Sequence, residues 1–251
     1  MEPNLLVLGG TTEATALCRS LAPLGVQATV SLAGRVAQPK PLDLPARIGG
    51  FGGVDGLMEY LRDHKISHVV DATHPFAAQM SRNAIDACGA LALPLVALTR
   101  GPWSAQPGDR WTHVPDVPAA VNRLHGAALR IFLAVGRTPM AAFGVHPQHH
   151  YVVRLVDHPG QSLPFPNSTV IVERGPFDDV SDRMLLQANG IDLVVSKNSG
   201  GTGAVAKITA ARQLGLPVLM IDRPQIPKRA EVHDPKSVIA WLARHGADLG
   251  V

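Results

Sequence analysis

Apolar positions along the 251-residue chain fall into short runs separated by stretches of helical spacing, and this alternation is the strongest signal in the sequence. The run from Asn4 to Leu8 stops at Gly9-Gly10, and Ala14, Leu17, Cys18 and Leu21 follow at helical spacing. A strand, a tight turn and an amphipathic helix ended by Gly25 are predicted there. Further strands are predicted over 26–32, 46–48, 66–71 and 94–98, with helices over 55–64 and from Pro75 to about Cys88. After a Pro- and Gly-marked break at 101–109 the alternation resumes. Strands are expected at 129–135, 151–156, 169–173, 191–196 and 216–221, and helices at 116–125, 178–189, 203–214 and 235–245. Strands alternating with helices need crossover connections and parallel sheets. The predicted fold is α/β: two Rossmann-like, doubly wound parallel-sheet domains, 1–100 and 101–251, with an interdomain cleft. Ligands of such sheets bind beyond the carboxyl ends of the strands.

Composition narrows the function classes. With 46% hydrophobic and 17% charged residues, the chain can bury a core without staples, and its two cysteines, Cys18 and Cys88, have no metal-ligand spacing. The uncharged run 88–99 is too short to span a bilayer and is broken by Pro94, so a cytoplasmic protein with no membrane partner is expected. Residues 1–99 hold seven Lys+Arg against eight Asp+Glu, and residues 100–251 hold sixteen against twelve. The basic excess lies in the second part, without a Lys/Arg run and with only 4% aromatics, which speaks against nucleic acid and for a small anionic ligand.

The loops after strands carry the candidate chemistry. Gly9, Gly10, Thr11, Thr12 and Glu13 join the first strand to the first helix, where backbone N–H groups and the helix dipole favour a pyrophosphate. Thr11 fills the place of the second spaced glycine of G-x-G-x-x-G, so the alternative is an ordinary turn with Thr12 as N-cap. The second strand ends Val30-Ser31-Leu32-Ala33-Gly34-Arg35 without the acid that usually holds the NAD ribose; Ser31 with Arg35 would instead suit the 2′-phosphate of NADP. Gly50 and Phe51, in a loop of four glycines, fit the adenine side or are simply a flexible loop. Ala72, Thr73, His74 and Pro75 should face the nicotinamide end. Thr73 and His74 are the candidates for direct catalysis, although a lone His at a helix start is more often a cap.

In the basic half, Lys197, Asn198, Ser199, Gly200, Gly201 and Thr202 form a second Gly-rich loop that fails the Walker pattern but could make an anion nest for substrate carboxylates. Arg137 and Arg174 end neighbouring strands and would add two guanidinium groups to that rim. His146, His149 and His150 cluster without a Cys or carboxylate to complete a zinc set, so no metal is expected, and no G-x-S-x-G elbow is present.

Taken together, GGTTEA from Gly9, DATHPFA from Asp71, ERGPF from Glu173 and KNSGG from Lys197 resemble the precorrin-6A reductase family of cobalamin biosynthesis, over nearly the whole chain. The resemblance implies NADPH-dependent reduction of one double bond of a ring-contracted, polycarboxylate tetrapyrrole, two Rossmann-like domains, and possible strand exchange between them. It also implies that Gly9 to Thr12 carry the NADPH phosphates and that Lys197 to Gly201 hold substrate carboxylates. Two other readings stay open on the residues: an S-adenosylmethionine-dependent tetrapyrrole methyltransferase, and a non-catalytic NADP-sensing module.

Overall fold

The structure is a computed structural model in which residues 3–34 and 41–247 are described. The first part of the chain forms β1 (Asn4–Leu8), α1 (Thr12–Leu21), β2 (Gln27–Leu32), β3 (Ala46–Ile48), α2 (Val54–Asp63), β4 (His68–Asp71), α3 (Ala78–Leu91) and β5 (Leu95–Leu98). Next come β6 (Arg110–Val114), α4 (Val117–Asn122), β7 (Arg130–Ala134), β8 (His150–Leu155), β9 (Ser168–Val172) and α5 (Asp179–Ala188). The chain closes with β10 (Leu193–Lys197), α6 (Ala206–Gln213), β11 (Pro217–Ile221), β12 (Ala230–Val232) and α7 (Pro235–Arg244). Every strand expected from the sequence is found; β6, β12 and a 3-10 segment at Thr138–Val145 are additional.

The strands make two parallel sheets, β12-β5-β4-β1-β2-β3 and β6-β11-β10-β7-β8-β9. From its far edge the first runs 3-2-1-4-5-6, the doubly wound order, with β12 in the sixth place. Counting β7 as its first strand, the second sheet has the same order with β6 in the sixth place. The strand after β5 therefore completes the second sheet, and the strand after β11 returns to complete the first. Accordingly, residues 1–101 with 225–251 form one compact unit and 102–224 the other. The sequence reading carried the second domain on to 251. Residues 225–251 instead join the first unit, because Ala230, Glu231 and Val232 pair with Val96, Ala97 and Leu98, and α7 buries Val238, Trp241 and Leu242 in the same core as Leu17 of α1.

Central strands are covered on both faces. Leu5 and Val7 pack toward α1 and α7, whereas Leu6 and Leu8 pack with Leu57 and Leu61 of α2 and Ala84 and Ala87 of α3. That is why β1 reads as a continuous apolar run and not as an alternation. In the second unit Phe132, Val152, Val194 and Val218 from four strands meet Leu186 of α5 and Ile208 of α6.

His68 joins β4 to the end of α7: its Nε2 donates to the His245 carbonyl at 3.1 Å, and its ring lies edge-on to Trp241. Burial holds its pKa below 6.5, with the hydrogen bond to His245 opposing the shift. Because the folded pKa is the lower one, the unfolded chain takes up the proton first, and stability falls as pH drops from about 6.5 through the folded value. Urea unfolding of the native protein and of His68→Gln at pH 7.5 and 5.5 should show the acid-side loss shrinking in the variant; an unchanged loss would assign it to other groups.

Candidate active site

Because all strands of the first unit are parallel, the loops after β1, β2, β3, β4 and β5 gather at one edge. At the β1–α1 turn, Gly9 packs so closely that a Cβ would lie 2.7 Å from Val30 Cγ1, and its N–H donates to the Ser31 carbonyl at 2.9 Å. Gly10 has φ +109°, is exposed, and faces open space, with no atom within 4 Å of a would-be Cβ. Thr11, not Thr12, is the N-cap: its Oγ1 accepts from Ala14 N at 3.1 Å and donates to the Ala72 carbonyl at 2.8 Å, tying the turn to the loop after β4. Thr12 is exposed and bonds Glu13 Oε2, and Glu13 forms an ion pair with Arg100, which follows β5. Glu13 therefore anchors the turn to the end of β5.

Ser31 sits at the end of β2, buried, directly opposite Arg47 in the β2–β3 ladder. Arg35, its expected partner, lies outside the described residues. Arg47, which sequence reasoning passed over, donates from Nη1 to Ser31 Oγ at 2.7 Å and to the Gly49 carbonyl at 3.0 Å, and from Nη2 to the Gly50 carbonyl at 3.1 Å. Its guanidinium covers the Phe51 ring, 4.1 Å from the centroid. Gly50 is exposed and Phe51 half-buried, so the Gly-rich loop is a defined structure wrapped around one arginine.

Asp71, at the end of β4, is nearly inaccessible and accepts from Thr73 N at 3.1 Å, Thr73 Oγ1 at 2.7 Å, Ser81 Oγ at 2.6 Å and the Arg229 guanidinium. This network sets the course of Ala72, which is buried, and of Thr73 and His74, which are half-buried. His74 Nδ1 accepts from Phe76 N at 3.2 Å, so in the neutral ring the proton is on Nε2. Pro75 lies in a turn closed by Ala77 N to the His74 carbonyl at 2.7 Å, ahead of α3 and not inside its first turn as the sequence suggested.

In the second unit the Gly-rich loop after β10 is held from two sides. Asn198 is buried with its amide spent on the Trp103 main chain, accepting from N at 2.7 Å and donating to O at 3.0 Å, so its side chain shapes the loop. Trp103 Nε1 donates to the Gly201 carbonyl at 2.7 Å, and Arg223 donates to the Asn198 and Ser199 carbonyls at 3.0 Å each. Gly200 and Gly201 both have φ +68°, Lys197 and Ser199 are half-buried, and Thr202 is exposed. The helix after the loop begins at Ala206, later than the expected Gly203. Beneath the loop lies Lys207, absent from the sequence reading. It is buried, donates to the Ala204 carbonyl at 2.5 Å, and sits 4.9 Å from the Trp103 ring centroid. Arg137 and Arg174 converge on one turn: Arg137 donates to the Asp157 carbonyl at 3.1 Å, and Arg174 pairs with the Asp157 carboxylate at 3.1 Å. Glu173 and Phe177, from the same ERGPF stretch, enclose the buried Arg154, which is itself bidentate to Asp182.

Among the described residues no group of three or more His, Cys, Asp or Glu is placed to hold a metal ion, and no helix is long and apolar enough to cross a membrane. The histidines at 146 and 149 donate to the Val121 and Leu124 carbonyls at 2.9 and 2.7 Å, and His150 bonds Thr169 Oγ1 at 2.9 Å.

Comparison with known proteins identifies the family. A sequence model of the precorrin-6x reductase CbiJ/CobK family matches residues 4–243. The chain belongs to this family. It is 54% identical to precorrin-6A reductase of Rhodobacter capsulatus over 244 residues, covering 97% of both chains. It is 45% identical to the Sinorhizobium sp precorrin-6A reductase, covering 96% of this chain and 95% of the relative. Cobalt-precorrin-6A reductase of Priestia megaterium is 31% identical, covering 88% of this chain and 91% of its own. A solved structure titled CobK precorrin-6A reductase superposes with TM-score 0.95 at 53% identity, covering 99% of this chain and 100% of that one. The four motifs singled out in the sequence fall at the carboxyl ends of β1, β4, β9 and β10.

Proposed function

We propose that the chain reduces precorrin-6A to dihydro-precorrin-6 with NADPH, by hydride transfer to one macrocycle double bond. The single observation that carries this reading is the family match over residues 4–243, joined to an open glycine turn on a doubly wound sheet. Identity is higher to the relatives named for precorrin-6A than to the one named for cobalt-precorrin-6A, which favours the metal-free macrocycle as substrate. The same match gives no support to the methyltransferase or sensor readings.

The residues present fit a nicotinamide dinucleotide. The space at Gly10 and the N–H groups starting α1 suit a pyrophosphate, and no carboxylate stands at the end of β2. When bound, the cofactor supplies the hydride; the chain positions it and shapes the surrounding site. Gly9, Gly10, Thr11 and Thr12 hold the phosphates, with Thr11 fixing the turn through Ala72. Gly50 and Phe51 border the adenine, and Ala72, Thr73, His74 and Pro75 border the nicotinamide, with the Asp71 network holding Thr73 in place. In the second unit, Lys197, Ser199 and the amides of Gly200 to Thr202 receive substrate carboxylates, assisted by the positive field of Arg137, while Arg174 is held by Asp157. Asn198 contributes by holding the loop.

Anaerobic incubation of the purified protein with metal-free precorrin-6A should consume NADPH and reduced macrocycle should appear in equal amount. Cobalt-containing substrate should react more slowly, and NADH should serve poorly. NADPH left unoxidised with either macrocycle would refute the assignment.

A further inference from the structure

We propose that Arg47, seated on Ser31, is the group through which the first unit recognises the 2′-phosphate of its dinucleotide and so discriminates NADPH from NADH. This rests on the cofactor reading above and adds the residue that decides it. Three observations carry it. The first is position: Ser31 and Arg47 are ladder partners at the carboxyl ends of β2 and β3, where the ribose next to the adenine lies in a doubly wound fold. The Ser31 carbonyl is bonded to Gly9 N, so this corner is continuous with the glycine turn. The second is charge. Arg100 and Arg229, at the same edge of the sheet, are ion-paired with Glu13 and Asp71, whereas among the described residues no carboxylate pairs with Arg47.

The third is donor accounting. Arg47 spends three of its five N–H groups on Ser31 Oγ and the Gly49 and Gly50 carbonyls. The two that remain, on Nε and Nη2, can grip two oxygens of one phosphate. Ser31 Oγ accepts from Arg47, which leaves its own O–H to donate. The rings of Phe51 and Tyr60, 4.1 and 5.1 Å from the guanidinium carbon, hold the group in one plane before any ligand arrives. Among the described residues this is a preorganised cation with no carboxylate paired to it, beside a hydroxyl left to donate, and it fits a phosphomonoester while giving a bare ribose hydroxyl little.

The test compares native protein, Arg47→Gln and Arg47→Lys by calorimetry with 2′,5′-ADP and 5′-AMP, and by KM and kcat with NADPH and NADH. Native protein should bind 2′,5′-ADP more tightly than 5′-AMP. In Arg47→Gln the 2′,5′-ADP affinity should fall roughly tenfold or more, the scale of charge-assisted hydrogen bonds, with 5′-AMP nearly unchanged. The loss should appear in the KM for NADPH and not in kcat, and Arg47→Lys should recover part of it. Equal weakening of both nucleotides would reduce Arg47 to a loop support and overturn the proposal, as would a preference that survives the substitution. Native protein that shows no preference would instead remove the cofactor reading itself. Should Arg47→Gln fail to fold, arginine modification of native protein, mapped by mass spectrometry, decides. Protection of Arg47 by 2′,5′-ADP and not by 5′-AMP supports the proposal, and equal protection overturns it.

Discussion

Asp71→Ala is expected to cost the first unit about 3 kcal/mol, because the substitution removes the buried partner of the Arg229 guanidinium and leaves it only the half-exposed Glu231 carboxylate, 3.5 Å from its Nε. Side-chain exposure is 1% for Asp71 and 9% for Arg229, so water cannot take the carboxylate's place without opening the structure. Three further donors, Thr73 N, Thr73 Oγ1 and Ser81 Oγ, lose their acceptor at the same time. Since Arg229 stands directly before β12, the damage should reach the exchanged strand. Hydrogen exchange resolved by peptide should show protection lost in β4, β5 and β12 and largely kept in 102–224. Asp71→Asn, which keeps an acceptor but not the charge, should fall between. An Asp71→Ala protein with native protection in β12 would show that the pair does not hold that strand. Activity should drop as well, because Thr73 loses the carboxylate that orients it.

Lys207→Met is expected to act in the opposite direction. Burial pushes the Lys207 pKa down to about 7, with Arg154 adding repulsion and Asp182 partly compensating. An unfolded lysine titrates near 10.4, so between about pH 7 and 10 the unfolded chain carries the extra proton. Stability of the second unit therefore rises with pH across that window, and the penalty for burying the ammonium is complete below about 7. Met fills similar volume without charge. At pH 6 the variant should be more stable by about 2–4 kcal/mol, less than the full shift because the bond to Ala204 is lost, and the gain should fade toward pH 10. Hydrogen exchange of the 102–224 peptides at the two pH values is the measurement; a gain independent of pH would mean that packing, and not charge, is responsible. The same change should weaken substrate binding, since Lys207 and Trp103 together brace the loop from Asn198 to Ala204.

The two strands that pattern reading overlooked are the two exchanged ones. β6, Arg110-Trp111-Thr112-His113-Val114, buries only Val114 fully, and β12, Ala230-Glu231-Val232, buries none of its residues fully. Both lie at sheet edges, where one side and much of each face meet solvent, so their residues carry little of the apolar signal that marked β1 or β10. Ser31 was singled out because a missing acid at the end of β2 is visible in one dimension. Arg47 was not, because its relation to Ser31 is a ladder pairing across sixteen residues of chain. An arginine at the centre of a short strand just before Gly49-Gly50 was the available clue.

Local hydrophobic periodicity and turn chemistry were enough to establish the α/β class, ten of the strands, and the position of each glycine-rich loop at a strand's carboxyl end, because those features depend on neighbours in the chain. Tertiary structure alone decided which sheet receives β6 and β12, which arginines are neutralised by Glu13, Asp71 and Asp157, and that Asn198 serves its own loop. Those outcomes join residues as far apart as Asp71 and Arg229, and only the shared burial of both partners, not any property of either segment, brings them into contact.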